Sequence, residues 1–216
     1  MILPLRTPAD AEKAVAAVGS HLVTSGLIAY PTETVYGLGS AADPKSLANL
    51  AVLKGRAPGK PFLLLVSSRA MAERSGLVFT PAADALAEAF WPGPLTLVLR
   101  GGEGRLPDLL RGPEGGIAVR HTSHRGMARL IELLGYPLTS TSANQPGHAP
   151  AAGVEQVAEL FPEAAADGTL LLLDGGALGN VPPSTLVDCT GPAPRLIREG
   201  ALPRDELRRR VGRAAP

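Results

Sequence analysis

Residues 28–66, IAYPTETVYGLGSAADPKSLANLAVLKGRAPGKPFLLLV, contain the succession of elements from which the fold is predicted. The apolar run Leu27–Tyr30 predicts a buried strand that ends at Pro31. Asp43-Pro44 then predicts a helix start, because aspartate caps helices and proline suits the first turn. That helix is expected to end near Leu53, and the apolar run Phe62–Val66 predicts a second strand. A strand, a helix and another strand in this order indicate an α/β protein.

Two polar segments lie at the ends of these buried elements. One is the hydroxyl-rich turn Thr32-Glu33-Thr34, and the other is the loop 54–60, KGRAPGK, which carries three cations. α/β proteins usually place their binding sites at such positions. Gly37 and Gly39 follow the turn, and we interpret them as structural, since glycine permits tight bends and close backbone approach.

The same alternation continues along the chain, so the predicted fold class is α/β with a twisted sheet and flanking helices. The late segments Ser184–Asp188 and Arg195–Arg198 are expected to form a strand pair, which favours a mixed sheet over a purely parallel one. Residues 101–115 are predicted to be an exposed loop. We expect one domain over 1–200 and an Arg-rich tail over 201–216. Further predicted strands are 95–99, 116–120, 137–141 and 170–173; predicted helices begin at Thr7-Pro8, Ser68, Thr80-Pro81, 124 and 154.

Composition restricts the function classes. The chain has 216 residues, of which 45% are hydrophobic and 4% aromatic, with a net charge of +1. The few aromatics argue against a base-stacking nucleic-acid module. The single cysteine, Cys189, excludes an intrachain disulfide and a cysteine metal cluster, and it favours a reducing, cytoplasmic setting. No apolar run approaches the roughly 20 residues that span a membrane.

Two segments match known phosphate-binding motifs only in part. Gly55–Pro61 resembles a P-loop with one residue too few and with proline in place of the hydroxyl that holds magnesium. Gly37–Ala42 matches a relaxed dinucleotide fingerprint, but no acidic residue follows about 20 positions later. His121 and His124 could share a helix face, yet no third ligand is near them in sequence, so surface histidines are the favoured interpretation.

The loop 54–60 is the strongest candidate for a binding site. Lys54, Arg56 and Lys60 could surround a triphosphate, although their charge alone favours a solvated surface loop. Arg120 and Arg198 each end a short apolar strand, and hydroxyl or amide side chains stand at or beside other strands: Ser140, Ser142, Asn144 and Ser184. Together these segments predict a polar, cationic crevice at strand ends.

These residues form a pattern that resembles the YrdC/TsaC family of threonylcarbamoyl-AMP synthases over about residues 10–200. The motifs occur in the family's order: PTETVYGLG (31–39), KGR (54–56), WPGPLTLVL (91–99), AVR (118–120), SAN (142–144), STLVD (184–188) and LIREG (196–200). The resemblance implies a twisted α/β sheet around a large central cavity with a positively charged rim.

The resemblance also implies a reaction. L-threonine, bicarbonate and ATP, with Mg²⁺, would give L-threonylcarbamoyladenylate and pyrophosphate. The adenylate would serve the threonylcarbamoyl modification of adenosine 37 in tRNA, through downstream tRNA threonylcarbamoyltransferase proteins. The enzyme would therefore be a cytoplasmic nucleotidyltransferase without a membrane partner.

The family's site residues are carried over at the matching positions. L-threonine would be bound by Thr34, Arg120, Ser140 and Ser184. ATP would be bound by Arg56, Lys60, Ser142, Asn144 and Arg198. Lys54 and Arg56 would be the catalytic cations, and no metal ligand from the protein is implied.

Two positions depart from the family pattern. Several relatives carry a threonine-holding histidine near the position of Leu65, and many have asparagine in place of Lys60. The chain resembles the short, single-domain form of the family. Two other functions remain open at this point: a non-enzymatic RNA-binding maturation factor that uses the same cationic crevice, and a carbamoyl-adenylate module of a larger maturation enzyme.

Overall fold

A computed structural model describes residues 1–56, 59–212 and 216 of the chain. Ala57 and Pro58 of the cationic loop, and residues 213–215 of the tail, lie outside the described residues. Strands and helices are numbered below in chain order.

The strands are β1 Ile2–Pro4, β2 Leu27–Tyr30, β3 Gly37–Gly39, β4 Leu63–Val66, β5 Leu77–Val78, β6 Leu95–Gly101, β7 Ile117–His121, β8 Leu138–Ser142, β9 Leu170–Asp174, β10 Thr185–Asp188 and β11 Arg195–Arg198. The helices are α1 Pro8–Val23, α2 Pro44–Lys54, α3 Arg69–Arg74, α4 Pro81–Phe90, α5 Arg125–Leu134, α6 Val154–Leu160, α7 Pro162–Ala166 and α8 Arg204–Val211. A 3₁₀ turn spans Asp108–Leu110.

The helix boundaries follow from capping groups that are visible in the sequence. Thr7 and Asp10 form a reciprocal capping box at the start of α1. Asp43 caps α2, where its Oδ1 accepts hydrogen bonds from the Lys45 and Ser46 amides, both at 3.0 Å. Gly135 ends α5 in the left-handed conformation that glycine adopts without strain. The predicted starts of α1 and α2 are confirmed.

The strands form a mixed sheet with the order β1-β9-β2-β3-β8-β4-β7-β6-β10-β11, and β5 pairs with β6. Pairs such as β2–β9 and β6–β10 are parallel, whereas β6–β7 and β10–β11 are antiparallel. The predicted mixed sheet and its closing strand pair are therefore confirmed.

The two faces of the sheet differ in chemistry, because successive side chains of a strand point to opposite faces. On β6, Leu95, Leu97 and Leu99 are fully buried in the hydrophobic core. The intervening Thr96 and Val98 line a cavity on the opposite face. One face of the central sheet thus supports the core, and the other forms the floor of a binding site.

Gly39 has a packing role in β3. A Cβ atom at this position would lie 2.2 Å from the Thr139 carbonyl oxygen and 2.8 Å from the ring of Tyr30. Gly37 likewise faces the Tyr30 ring. The interpretation of these two glycines as structural is confirmed, and their strand is sandwiched between β2 and β8.

Some elements differ from the prediction. The strands β1, β3 and β5 and the helix α7 were not predicted, since each has only two to five residues. The segment 101–115 is not simply an exposed loop, because its own residues Leu106 and Leu110 are buried. In the tail, α8 carries the fully buried Leu207. Among the described residues, no helix is both long and apolar enough to cross a membrane.

Candidate active site

The candidate site is a cavity of about 530 Å³ on the open face of the sheet. Residues of β3, β4, β6, β7, β8, β10 and β11 line it, together with the turn after β2 and the loop before β4. The sequence predicted a crevice at strand ends. The structure instead places the cavity across the sheet face, because alternate residues of neighbouring strands project to the same side.

Arg120 of β7 lies at one end of the cavity. Its side chain is buried, and its Nη2 donates a hydrogen bond to Thr34 Oγ1 at 3.0 Å. The same nitrogen forms an ion pair with Glu33 Oε1 at 2.8 Å. Arg120 Nε is buried and has no hydrogen-bond partner in the described part of the chain. An arginine that lines a cavity with unused donor capacity suits a carboxylate ligand.

Hydroxyl groups surround Arg120. Thr34 Oγ1 lies 3.0 Å from Thr32 Oγ1, so the turn presents two hydroxyls to the cavity. Ser140 of β8 and Ser184, just before β10, are also buried on the wall. Ser184 Oγ lies 2.7 Å from Thr96 Oγ1. The structure thus brings together the four residues predicted to bind L-threonine, Thr34, Arg120, Ser140 and Ser184.

Arg56, which was predicted to bind ATP, also lies on the cavity wall. Its Nη1 donates to Thr141 Oγ1 at 3.0 Å, and its Nε donates to the Lys60 carbonyl oxygen at 2.8 Å. The guanidinium also covers the Phe62 ring, with 4.4 Å between Cζ and the ring centroid. Burial lowers the pKa of Arg56 from its ordinary value. These contacts fix the orientation of a half-buried cation.

Lys60 and Arg198 add further positive charge to the wall. Arg198 Nη2 donates to the Ser184 carbonyl oxygen at 2.9 Å, so it is held beside Ser184. Burial and then the nearby charge of Arg120 lower the pKa of Arg198. Arg120 and Arg198 are therefore close enough for electrostatic influence. With Arg56 and Lys60 on the same wall, this positive charge favours an anionic occupant.

Lys54 has a different position from the one the resemblance implied. Its side chain is 6% exposed and is not part of the cavity wall. Nζ donates to the carbonyl oxygens of Ser142 and Asn144, and to Asn144 Oδ1 at 2.6 Å. The structure therefore shows Lys54 supporting the segment 142–144, and a direct contact with phosphate stays a prediction.

Asn144 also turns away from the cavity. Its amide nitrogen donates to the carbonyl oxygens of Gln145 and His148, while its Oδ1 accepts from Lys54 and from Ser142 Oγ at 2.6 Å. Ser142, by contrast, lies on the wall. The pair therefore differs from the expectation that both side chains face the nucleotide, because Asn144 is occupied in holding its own loop.

Several wall residues were missed by the sequence analysis. The hydroxyls of Thr96 and Thr141 line the cavity, and alternation within β6 was the signal that could have placed Thr96. An apolar part of the wall is formed by Leu63, Val98, Ala118, Leu186 and Ile197. This surface suits the flat apolar face of a base.

An ion-pair cluster also lines the cavity. Arg195 Nη2 lies 2.7 Å from Glu114 Oε1 and 3.0 Å from Asp188 Oδ2. It connects β11 with the segment before β7. This arrangement was also missed, because Glu114 lies 81 residues before Arg195 in sequence.

Leu65 and the two histidines were singled out from sequence and lie outside the wall. Leu65 is 1% exposed and pairs with Arg120 in the parallel register of β4 and β7. His121 is in β7, whereas His124 caps α5 by accepting from the Met127 amide at 3.2 Å. The two histidines therefore do not share a helix face. Both are partly buried, so the surface interpretation is wrong as well.

Comparison with known proteins identifies relatives of this chain. The model of the Sua5/YciO/YrdC domain, described as "Telomere recombination", matches residues 21–200. A protein of Pyrococcus abyssi named threonylcarbamoyl-AMP synthase is 36% identical over 188 residues, which cover 86% of this chain and 54% of that protein. A protein of the same name from Thiobacillus denitrificans is 36% identical over 187 residues, covering 85% of this chain and 95% of the relative. The chain thus spans about half the length of the first relative and nearly all of the second.

A solved structure has the same fold. The crystal structure of P. abyssi Sua5 complexed with L-threonine matches with a TM-score of 0.85 and 32% sequence identity. The match covers 99% of this chain and 61% of that chain. The expected twisted sheet with flanking helices around a cavity is confirmed.

Proposed function

The chain belongs to the Sua5/YciO/YrdC family, and on that premise we propose that it is a threonylcarbamoyl-AMP synthase. It would convert L-threonine, bicarbonate and ATP into L-threonylcarbamoyladenylate, pyrophosphate and water. The observation that carries the proposal is a single cavity that holds both an arginine–hydroxyl cluster and a separate set of cations.

The first cluster fits L-threonine. The substrate carboxylate would pair with the guanidinium of Arg120, which lines the cavity. The hydroxyls of Thr34, Ser140 and Ser184 would bind the polar groups of the amino acid. A substrate fixed by its carboxylate in this way would present its amine toward the remaining space of the cavity.

The second set of residues fits the triphosphate of ATP. Arg56, Lys60 and Arg198 supply positive charge along the wall, and Ser142 supplies a hydroxyl. The apolar wall around Val98 and Leu186 would receive the adenine. The two substrates would then lie side by side on one sheet face.

The reaction requires positioning and charge neutralisation more than a protein nucleophile. The threonine amine and bicarbonate form a carbamate with loss of water. A carbamate oxygen then attacks the α-phosphorus, and the bond to the departing pyrophosphate breaks. Arg56 and its neighbours would stabilise the negative charge that moves onto the phosphate oxygens.

Mg²⁺ would enter as part of the ATP substrate. Over residues 1–56, 59–212 and 216, no group of three or more His, Cys, Asp or Glu side chains is arranged to hold a metal ion. Magnesium commonly keeps several waters and binds through substrate phosphates. We therefore propose that phosphate oxygens and water, with little help from the protein, hold the ion.

The product would be consumed by a transfer reaction on tRNA. A threonylcarbamoyl group on AMP is a mixed anhydride, so it is activated for transfer to an amine such as that of adenosine 37. We propose that tRNA threonylcarbamoyltransferase proteins in the cytoplasm receive it.

Identification of the product tests the proposal. The protein is incubated with MgATP, L-threonine and ¹³C-bicarbonate, and the adenylate is analysed by mass spectrometry. We expect an AMP-linked product that contains threonine and one ¹³C atom. An unlabelled adenylate, or threonine-independent turnover, contradicts the proposal, and steeply salt-dependent RNA binding without turnover would favour the RNA-binding factor.

A further inference from the structure

Glu33 lies directly behind the threonine end of the cavity without forming part of its wall. Its Oε1 is 2.8 Å from Arg120 Nη2, and its Oε2 accepts a hydrogen bond from the Thr122 hydroxyl. Thr122 Oγ1 in turn accepts from the His124 amide at 3.2 Å. A continuous set of contacts thus connects the N-terminus of α5, through Glu33, to Arg120.

The charge of Glu33 matters because Arg120 is 4% exposed. Within the described part of the chain, Glu33 is the one carboxylate that pairs with Arg120. Burial, followed by the nearby charge of Arg120, lowers the pKa of the Arg198 guanidinium. Without Glu33, two partly or fully buried cations would repel each other across the site.

The contacts of Glu33 also hold one end of the Arg120 guanidinium in place. Nη2 is engaged inward by Glu33 and Thr34. Nε is buried and has no hydrogen-bond partner among the residues described. A planar guanidinium held at one nitrogen cannot rotate freely, so its remaining donors keep a fixed direction.

We propose that Glu33 is a positioning residue that orients Arg120 for the carboxylate of the substrate. This inference rests on the proposed function for the identity of that substrate. A purely structural role in the turn 31–34 would instead change the stability of the fold and affect both substrates alike.

The variant Glu33→Gln tests this proposal with almost no change in shape. If Thr122 continues to donate to the Gln oxygen, the Gln amide group faces Nη2, and two donors then oppose each other. Glu73→Gln is the matched control, because Glu73 forms an exposed ion pair with Arg69 at 2.9 Å. We expect Glu33→Gln to raise the threonine KM about tenfold or more, with the ATP KM changed less than about twofold and the control unchanged.

A double-mutant cycle separates positioning from an independent structural effect. In the Arg120→Ala background, Glu33→Gln should have almost no further effect on the threonine KM, because the residue that it orients is gone. Additive effects of the two substitutions would overturn the proposal. An equal increase in the two KM values would also overturn it.

A measurement without substrates keeps this inference distinct from the proposed function. In ¹⁵N-arginine-labelled protein, the Nε–H signal of Arg120 is assigned as the one that Arg120→Ala removes. We expect Glu33→Gln to shift that signal and accelerate its hydrogen exchange, and Glu73→Gln to leave it in place. An unchanged Arg120 signal would overturn the inference. If wild-type turnover fails to depend on threonine, only the proposed function fails, and the Arg120 signal still decides the role of Glu33.

Discussion

Nζ of Lys54 lies 2.6 Å from Oδ1 of Asn144 and holds the loop that carries Ser142. The ammonium group at the end of α2 thus organises a segment 88 residues later in the chain. Since Ser142 lies on the cavity wall, the protonation of a buried lysine is coupled to the shape of the proposed ATP site.

This relationship predicts a pH dependence of activity. Burial, followed by the charge of Arg56, lowers the pKa of Lys54 to about 8. As the pH rises through this value, Lys54 loses its charge and one donor, so the 142–144 loop should loosen. We expect kcat/KM for ATP to decline above a pH of about 8 in a wild-type pH profile.

The sign of the accompanying stability change provides the control. The folded pKa of Lys54 lies below its unfolded value, so between a pH of about 8 and 10.5 the unfolded state binds more protons. This group therefore makes the free energy of unfolding increase with pH in that window. The activity should fall without loss of folded protein by circular dichroism, and a flat activity profile between pH 7 and 9 would disprove the coupling.

Arg56→Ala should impair the use of ATP. Removal of one preorganised charge-stabilising donor typically lowers kcat by a factor of about 10²–10³. Arg56→Lys should recover only part of the loss, because lysine lacks the planar fork that contacts Thr141 and Lys60. Steady-state pyrophosphate release measures both effects. Arg74→Ala, at an exposed position in α3, is the control; near-normal turnover by a folded Arg56→Ala protein would refute the assignment.

Arg120→Ala should chiefly raise the threonine requirement. The substitution removes the cation proposed to bind the substrate carboxylate and leaves Glu33 buried without its partner. Loss of one partner of a buried charge pair costs about 2–5 kcal/mol, so we expect a rise in the threonine KM of at least about thirtyfold. The ATP KM serves as the internal reference. Unchanged threonine dependence would place the amino acid elsewhere.

Gly39→Ala should destabilise the fold. The added methyl group would approach the Thr139 carbonyl oxygen to 2.2 Å, and backbone shifts of this kind cost about 1–3 kcal/mol. Gly179→Ala is the matched control, because no atom lies within 4 Å of its added Cβ. Urea unfolding of both variants compares the losses. Equal stabilities would show that β3 can move away from β8 without cost.

Much of the fold was predictable because its signals are local. The caps at Thr7, Asp43 and Ser68 mark helix starts through hydrogen bonds within three residues. The apolar run Leu27–Tyr30 is fully buried, as its composition indicated. The three-residue strand β3 was not predictable in this way, since its two glycines are explained only by the ring of Tyr30 and by β8.

The identity of the site residues was predicted more accurately than their positions in the fold. The motif residues Thr34, Arg56, Arg120 and Ser184 do meet in one cavity. Lys54 lies outside the wall because its reach to the 142–144 loop depends on tertiary packing between α2 and β8. The contact between Glu33 and Arg120 likewise joins residues 87 positions apart and has no local signal.

We propose that threonine and ATP react in one cavity, and leaving out single substrates tests this. Pyrophosphate release is followed with MgATP, L-threonine and bicarbonate together, and then with each one left out. The account predicts release only with the complete set, in equal amount to an adenylate that contains threonine. Pyrophosphate release at the same rate without threonine would contradict it.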